Sequence, residues 1–188
     1  MLFKIIFRLK VYDLKSIPEK GGVIIAANHI SFLDPPLLWA VLKRKPTFIA
    51  KKYLFSVPII GHIVRLYSIP VDVVRTRPST IKEAVRRLKN GELLVIFPEG
   101  GINHDGSFIN AKRGIGMIAS MSGACVVPAF IDGTQRVLPV GARFFKMSNI
   151  TLRFGCPLKL EKGEDEDEFG ERICRDIMDR IKSLGSCL

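Results

Sequence analysis

Carboxylates are in short supply in this chain: 18 Asp and Glu stand against 29 Lys and Arg, for a formal charge of +11 over 188 residues. The imbalance is uneven, +15 over residues 1–160 and −4 over residues 161–188. A basic body suits an anionic membrane surface or nucleic acid. Aromatics interleaved with basic residues, zinc-ligand clusters and helix-turn-helix spacing are all missing, which argues against a nucleic-acid binder. Long apolar runs are missing too. The chain is 47% hydrophobic with a mean hydropathy above zero, yet no stretch approaches the roughly 18 uncharged apolar residues of a membrane span. The apolar start, Met1 to Leu9, is broken by Lys4 and Arg8 and lacks a signal-peptide core or cleavage site, so it is expected to stay on the mature protein. Phe3, Ile5, Ile6, Phe7 and Leu9 fit a bilayer interface over residues 1–12, and Ile5 to Val11 equally fits an edge strand. Cys125, Cys156, Cys174 and Cys187 show no paired spacing, against a disulfide framework or metal site and for a reducing compartment; Cys125, in an apolar run, reads as core.

What is present reads as a single domain over residues 1–188, long enough for a substantial core and without repeats or a linker. Apolar runs predict strands at Val23 to Ala27, Leu93 to Phe97, Cys125 to Ile131 and Ile150 to Phe154, with weaker ones at Ile5 to Val11, Thr47 to Ala50 and Leu66 to Val71. Helical patterns fall at Pro35 to Lys43, Thr80 to Lys89, Arg113 to Met121 and Phe169 to Leu184. In the second, Thr80 and Glu83 suit a capping box and Asn90-Gly91 a stop. The acidic run 161–168 reads as a solvated loop whose charge favours the start of the last helix. Alternating strands and helices predict an α/β fold: a mostly parallel or mixed sheet of about six to seven strands flanked by helices on both faces.

Two strand exits carry candidate chemistry. Asn28-His29-Ile30-Ser31-Phe32-Leu33-Asp34 follows the first strong strand and sets an imidazole five residues before a carboxylate. That pair suits a general base with an orienting acid, because a carboxylate on one ring nitrogen fixes the tautomer and stabilises the imidazolium. A structural reading competes, with Asp34 capping a helix that opens Pro35-Pro36. Asn28 and Ser31 bracket the base or merely shape its turn. About 70 residues on, Phe97-Pro98-Glu99-Gly100-Gly101 follows the next strong strand, at the kind of strand end where open α/β sheets bind ligands.

These two segments, in this order, resemble the glycerolipid acyltransferase family that includes the bacterial 1-acylglycerol-3-phosphate acyltransferases. The likeness extends through Ile49-Ala50-Lys51-Lys52-Tyr53-Leu54-Phe55, Pro58 and Gly61, through Ile69-Pro70-Val71-Asp72, Ala111-Lys112-Arg113-Gly114 and Val126-Val127-Pro128-Ala129, to Gly133-Thr134 and Leu138-Pro139. It covers residues 9–160. The resemblance implies transfer of a fatty acyl group from acyl-CoA or acyl carrier protein to the hydroxyl of 1-acyl-sn-glycerol-3-phosphate, giving phosphatidic acid. It implies His29 as base, Asp34 as its orienting carboxylate, and no metal or other cofactor. Glu99, Gly100 and Gly101 are then expected to contact substrate, through backbone N–H groups at an oxyanion or through Glu99 on the glycerol or a basic residue. Arg75 and Lys112 are expected on the phosphate, with a solvated surface the alternative for both, as an ordinary turn is for the glycines. The expected place is the cytoplasmic face of an anionic membrane, peripheral or monotopic, with acyl carrier protein one candidate partner.

The chain departs from the family pattern where phosphate is expected to bind. Val73 and Val74 precede Arg75 where an arginine usually follows the aspartate directly, Gly101 and Ile102 stand where Thr and Arg usually run, and Tyr53 replaces an acidic residue. Arg75, Arg77 or Lys112 is left to supply the charge. Another acceptor, such as a lyso-ornithine lipid or a lysophospholipid, therefore stays open, as does a non-catalytic membrane-surface module that kept the fold. His62, in an apolar stretch, reads as a core or interface residue, and His104, in a turn-rich segment, as exposed.

Overall fold

The structure is a computed structural model that describes residues 7–52, 56, 68–71, 78–103, 109–139 and 144–186. Seven strands, β1 (Lys10–Tyr12), β2 (Val23–Ala27), β3 (Pro46–Lys51), β4 (Ser68–Val71), β5 (Leu93–Ile96), β6 (Cys125–Asp132) and β7 (Thr151–Phe154), form one sheet in the order β1-β7-β6-β2-β5-β3-β4. Every neighbouring pair is parallel except β6 and β7. The helices are α1 (Asp34–Val41), α2 (Pro78–Lys89), α3 (Gly114–Ser122), the single turn α4 (Thr134–Val137) and α5 (Glu166–Gly185).

The central strands β2 and β5 are buried at every residue, as uninterrupted apolar runs require when both faces are covered. Ile24, Ala26, Leu94, Ile96 and Val126 meet α2, α3 and α5 on one face. Val23, Ile25, Val95, Val127 and Ala129 meet α1 and α4 on the other, joined there by Phe7. The chain leaves β2 through α1 on one face and leaves the adjacent β5 through α3 on the opposite face. The carboxyl ends of β2 and β5 therefore flank a topological switch point, where the diverging connections open a crevice.

Several expected boundaries move. The N-terminal strand is shorter than expected, an edge strand at Lys10–Tyr12 that pairs with β7; residues 1–6 lie outside the described residues. Helix α2 starts at Pro78, so Thr80 is a buried helical residue and not a cap, and Glu83 gives its carboxylate to Arg86 and Arg87 at 2.8 Å. It ends as expected, with the Gly91 N–H on the Leu88 carbonyl. Helix α5 begins at Glu166, inside the run expected to be loop, because Asp165 and Glu168 form a reciprocal capping box at 2.8 and 3.1 Å. Glu164 takes the Arg172 guanidinium in a fork of 2.6 and 2.7 Å.

That fork holds the Glu164 carboxyl down from the usual 4.5 to about 2. A depressed carboxyl stabilises the fold fully above its unfolded value, and the contribution is lost as pH falls from 4.5 towards 2. Glu164→Gln should therefore melt below the native protein at neutral pH and converge with it near pH 2. Thermal unfolding followed by circular dichroism checks this; a gap that persists in acid would show that ionisation of the pair is not its origin.

Candidate active site

The exit of β2 is built around one carboxylate. Beyond Ala27 the strand parts from β6, and the Asn28 side chain replaces the missing ladder partner: its Oδ1 accepts from the Ile131 N–H at 2.8 Å and its Nδ2 donates to the Ile131 carbonyl at 2.9 Å. The chain then turns, with the Leu33 N–H on Ser31 Oγ and the Asp34 N–H on the Ser31 carbonyl, both at 3.2 Å. Asn28 and Ser31 thus shape the turn. Asp34 is fully buried and does not cap α1; its Oδ2 turns back to accept from the Ile30 and Ser31 N–H groups at 2.8 and 2.9 Å. The same oxygen lies 2.8 Å from His29 Nδ1, and Oδ1 accepts from Thr134 Oγ1 at 2.6 Å. Three donors beside the histidine keep the carboxylate an acceptor, so Nδ1 carries the imidazole proton and Nε2 the lone pair. The His29 side chain keeps 14% of its surface exposed.

The loop after β5 closes over this turn. The Phe97 ring stacks on the imidazole with centroids 4.0 Å apart and planes 17° from parallel. Glu99 is buried; its Oε1 accepts from the His29 N–H at 3.2 Å and its Oε2 from Asn103 Nδ2 at 3.3 Å. The Asn103 N–H reaches back to the His29 carbonyl at 2.7 Å. Burial raises the Glu99 carboxyl above its ordinary range, against the hydrogen bonds from His29 and Asn103 that pull it down. The imidazole is therefore fixed through one ring nitrogen, one ring face and both main-chain polar groups. A deprotonated Nε2 held this firmly can take a proton from a hydroxyl.

Comparison with known proteins agrees with this geometry. The Acyltransferase family model matches residues 8–132. The chain belongs to the acyltransferase family. It is 34% identical over 152 residues to a Bacillus subtilis protein named 1-acyl-sn-glycerol-3-phosphate acyltransferase, covering 80% of this chain and 73% of the relative. A chloroplastic Arabidopsis thaliana protein of the same name, LPAT1, is 30% identical over 141 residues, covering 72% of this chain but 39% of the longer relative. Among solved structures, the 1-acyl-sn-glycerophosphate (LPA) acyltransferase PlsC from Thermotoga maritima superposes with a TM-score of 0.76 at 28% identity, over 95% of this chain and 72% of that one.

The acyltransferase brings together His29, Asp34, Glu99 and Gly100 of the residues expected at its site. Glu99 has each carboxylate oxygen engaged, one by the His29 N–H and the other by Asn103. The Gly100 N–H bonds the Phe97 carbonyl at 3.0 Å and is not open to an oxyanion, which leaves Gly101 as the glycine candidate. Gly100 has a φ of +75°, and a side chain there would run into the Lys112 ammonium, so Lys112 is held against this turn, its own N–H on the Pro98 carbonyl. Arg75, Arg77, Tyr53, His62 and His104 lie outside the described residues. No group of three or more His, Cys, Asp or Glu suited to a metal occurs among the described residues.

Thr134, Asn103 and the Phe97 stack carry no role in the sequence reading. Thr134 was visible only as part of Gly133-Thr134 after an apolar strand. Gly133, at φ +96° and against the Asn149 carbonyl, permits the sharp turn from β6 into α4 that delivers the hydroxyl. Thr134→Val should lower kcat about tenfold or more by removing one of four donors to a buried carboxylate, a loss of roughly 1–3 kcal/mol. Thr134→Ser should restore most of it. Steady-state kinetics of the three proteins checks this; equal rates for Val and Ser would show that the hydroxyl does not matter.

Proposed function

We propose that this O-acyltransferase moves a fatty acyl group from an acyl thioester, acyl-CoA or acyl carrier protein, to the free hydroxyl of 1-acyl-sn-glycerol-3-phosphate, forming phosphatidic acid. The observation that carries the reading is the His29 Nδ1 to Asp34 Oδ2 bond of 2.8 Å, which leaves Nε2 as a poised base at the crevice. The hydroxyl oxygen attacks the thioester carbonyl as its proton passes to Nε2. The tetrahedral intermediate then expels the thiolate, which takes the proton back from the imidazolium and leaves as thiol. Attack by the acceptor alcohol requires no acyl-enzyme, and all groups for proton transfer are the chain's own. Asp34 and the Phe97 ring both favour the imidazolium that forms midway. Lys112 and Arg75 bind the acceptor's phosphate, Lys112 as a point charge beside Gly100. The reaction runs at the cytoplasmic face of an anionic membrane, where the acceptor resides.

A second reading keeps the chemistry and changes the acceptor to another lyso-lipid. It is favoured by Val73-Val74 and Gly101-Ile102, apolar or neutral where the family pattern carries arginine. A non-catalytic surface module has no use for a buried four-donor carboxylate behind a histidine. His29→Ala should lower acyl transfer by about 10²–10⁴, measured with acyl-CoA and with acyl carrier protein against a panel of lyso-lipids; unchanged turnover would remove His29 from the mechanism. Lys112→Ala should raise KM for a phosphate-bearing acceptor several-fold with little change in kcat, and an unaltered KM would remove Lys112 from the phosphate site.

A further inference from the structure

The loop between α4 and β7 holds the most exposed apolar side chains of the described protein. Phe144, Phe145 and Met147 are 83%, 63% and 76% exposed. The loop is anchored, with the Lys146 N–H on the Val137 carbonyl at 2.8 Å and the Phe145 ring edge-on to Phe7 at 6.3 Å. Its position follows from the register. β7 runs antiparallel to β6 and pairs Thr151 with Asp132, while Lys10 of β1 pairs with Thr151. Phe7 and the loop therefore lie at the same end of the sheet as His29, where Phe32, between base and carboxylate, is also 63% exposed. The loop's own sequence, residues 138–150, carries two basic side chains and no acidic one.

We propose that this loop is a membrane-docking surface whose partner is an anionic phospholipid bilayer. Phe144, Phe145 and Met147 enter the boundary between headgroups and acyl chains, and Lys146 meets lipid phosphates. Three large apolar side chains exposed together within residues 144–147 mark an interaction surface. A bilayer is favoured over a second copy of the chain because the loop's basic residues on two copies would repel one another, whereas anionic headgroups match them. Docking at this edge turns the crevice towards the lipid phase, from which a single-chain amphiphile reaches His29. The surface serves the acyl transfer proposed above, but vesicle binding is read without turnover.

The test uses the full chain with vesicles of phosphatidylcholine alone and of phosphatidylcholine mixed with phosphatidylglycerol, scored by flotation. Native protein should float with the anionic vesicles, less so as salt rises. Phe144→Ser/Met147→Ser, which leaves the Phe7–Phe145 contact in place, should partition at least about tenfold more weakly. Its transfer to a vesicle-embedded acceptor should fall in step, while transfer to a short-chain, monomeric acceptor should stay native. Binding of the double variant equal to native overturns the proposal. So does a native dimer that dissociates in the variant while vesicle binding is unchanged, which would assign the face to self-association. As a second readout, Phe144→Trp in a Trp39→Phe chain should shift its emission to the blue on anionic vesicles, and no shift counts against docking. If native protein turns over no lyso-lipid but the variant still loses vesicle binding, acyl transfer fails and docking stands.

Discussion

A fully buried carboxylate is costly to a fold unless its oxygens are hydrogen-bonded, and those of Asp34 are met by donors drawn from two parts of the chain. Two are main-chain N–H groups of the turn that leaves β2, one is the imidazole five residues earlier, and one is a hydroxyl 100 residues away. Because the donors come from the β2 exit and from α4, the anion ties the ends of two neighbouring parallel strands together. Asn28 performs the same task without charge, binding both polar groups of Ile131 where the strands diverge. The histidine is thereby mounted where β2 leaves the centre of the sheet, its ring held by a carboxylate that both strand ends engage.

The second strand exit completes the mount from the other side. Glu99 and Asn103 occupy the N–H and carbonyl of His29, and Phe97 covers the ring. Segments that are remote in sequence thus act on a single residue. An aromatic face 4.0 Å from an imidazole suits the protonated ring, as the buried carboxylate does.

The sheet was legible because its central strands are apolar on both sides and separated by patterned helices, so composition and period pointed to the same architecture. Strand order was not, since β2 and β6 pair through residues about 100 apart and nothing local in β7 marks it as antiparallel. Helix starts slipped where side-chain chemistry had two uses. Thr80 and Glu83 have capping-box spacing, but two arginines one turn on compete for the glutamate, while Asp165 and Glu168 were submerged in a run of like charge. The His29–Asp34 pair was readable because both partners lie within one turn. Thr134 and Asn103 were not, because a hydroxyl or amide becomes part of a site only through burial beside a partner that sequence spacing does not reveal.

The contrast between base and acceptor contacts has a physical logic. The base requires one geometry whatever the acceptor, and the residues that supply it are buried and mutually bonded. The cationic groups that would meet a phosphate carry no such constraint: Lys112 is exposed, and its ammonium lies over Gly100 in a turn closed by its own hydrogen bond. A lysine presents a compact charge on a flexible stem, whereas a guanidinium dictates a planar fork. On the proposed reading, with Gly101 and Ile102 standing where the family pattern has threonine and arginine, Lys112 would offer a phosphate a positional contact in place of a directional one. Such a site is less demanding of headgroup geometry than of charge, so acceptor range can vary while the proton-transfer apparatus stays unchanged.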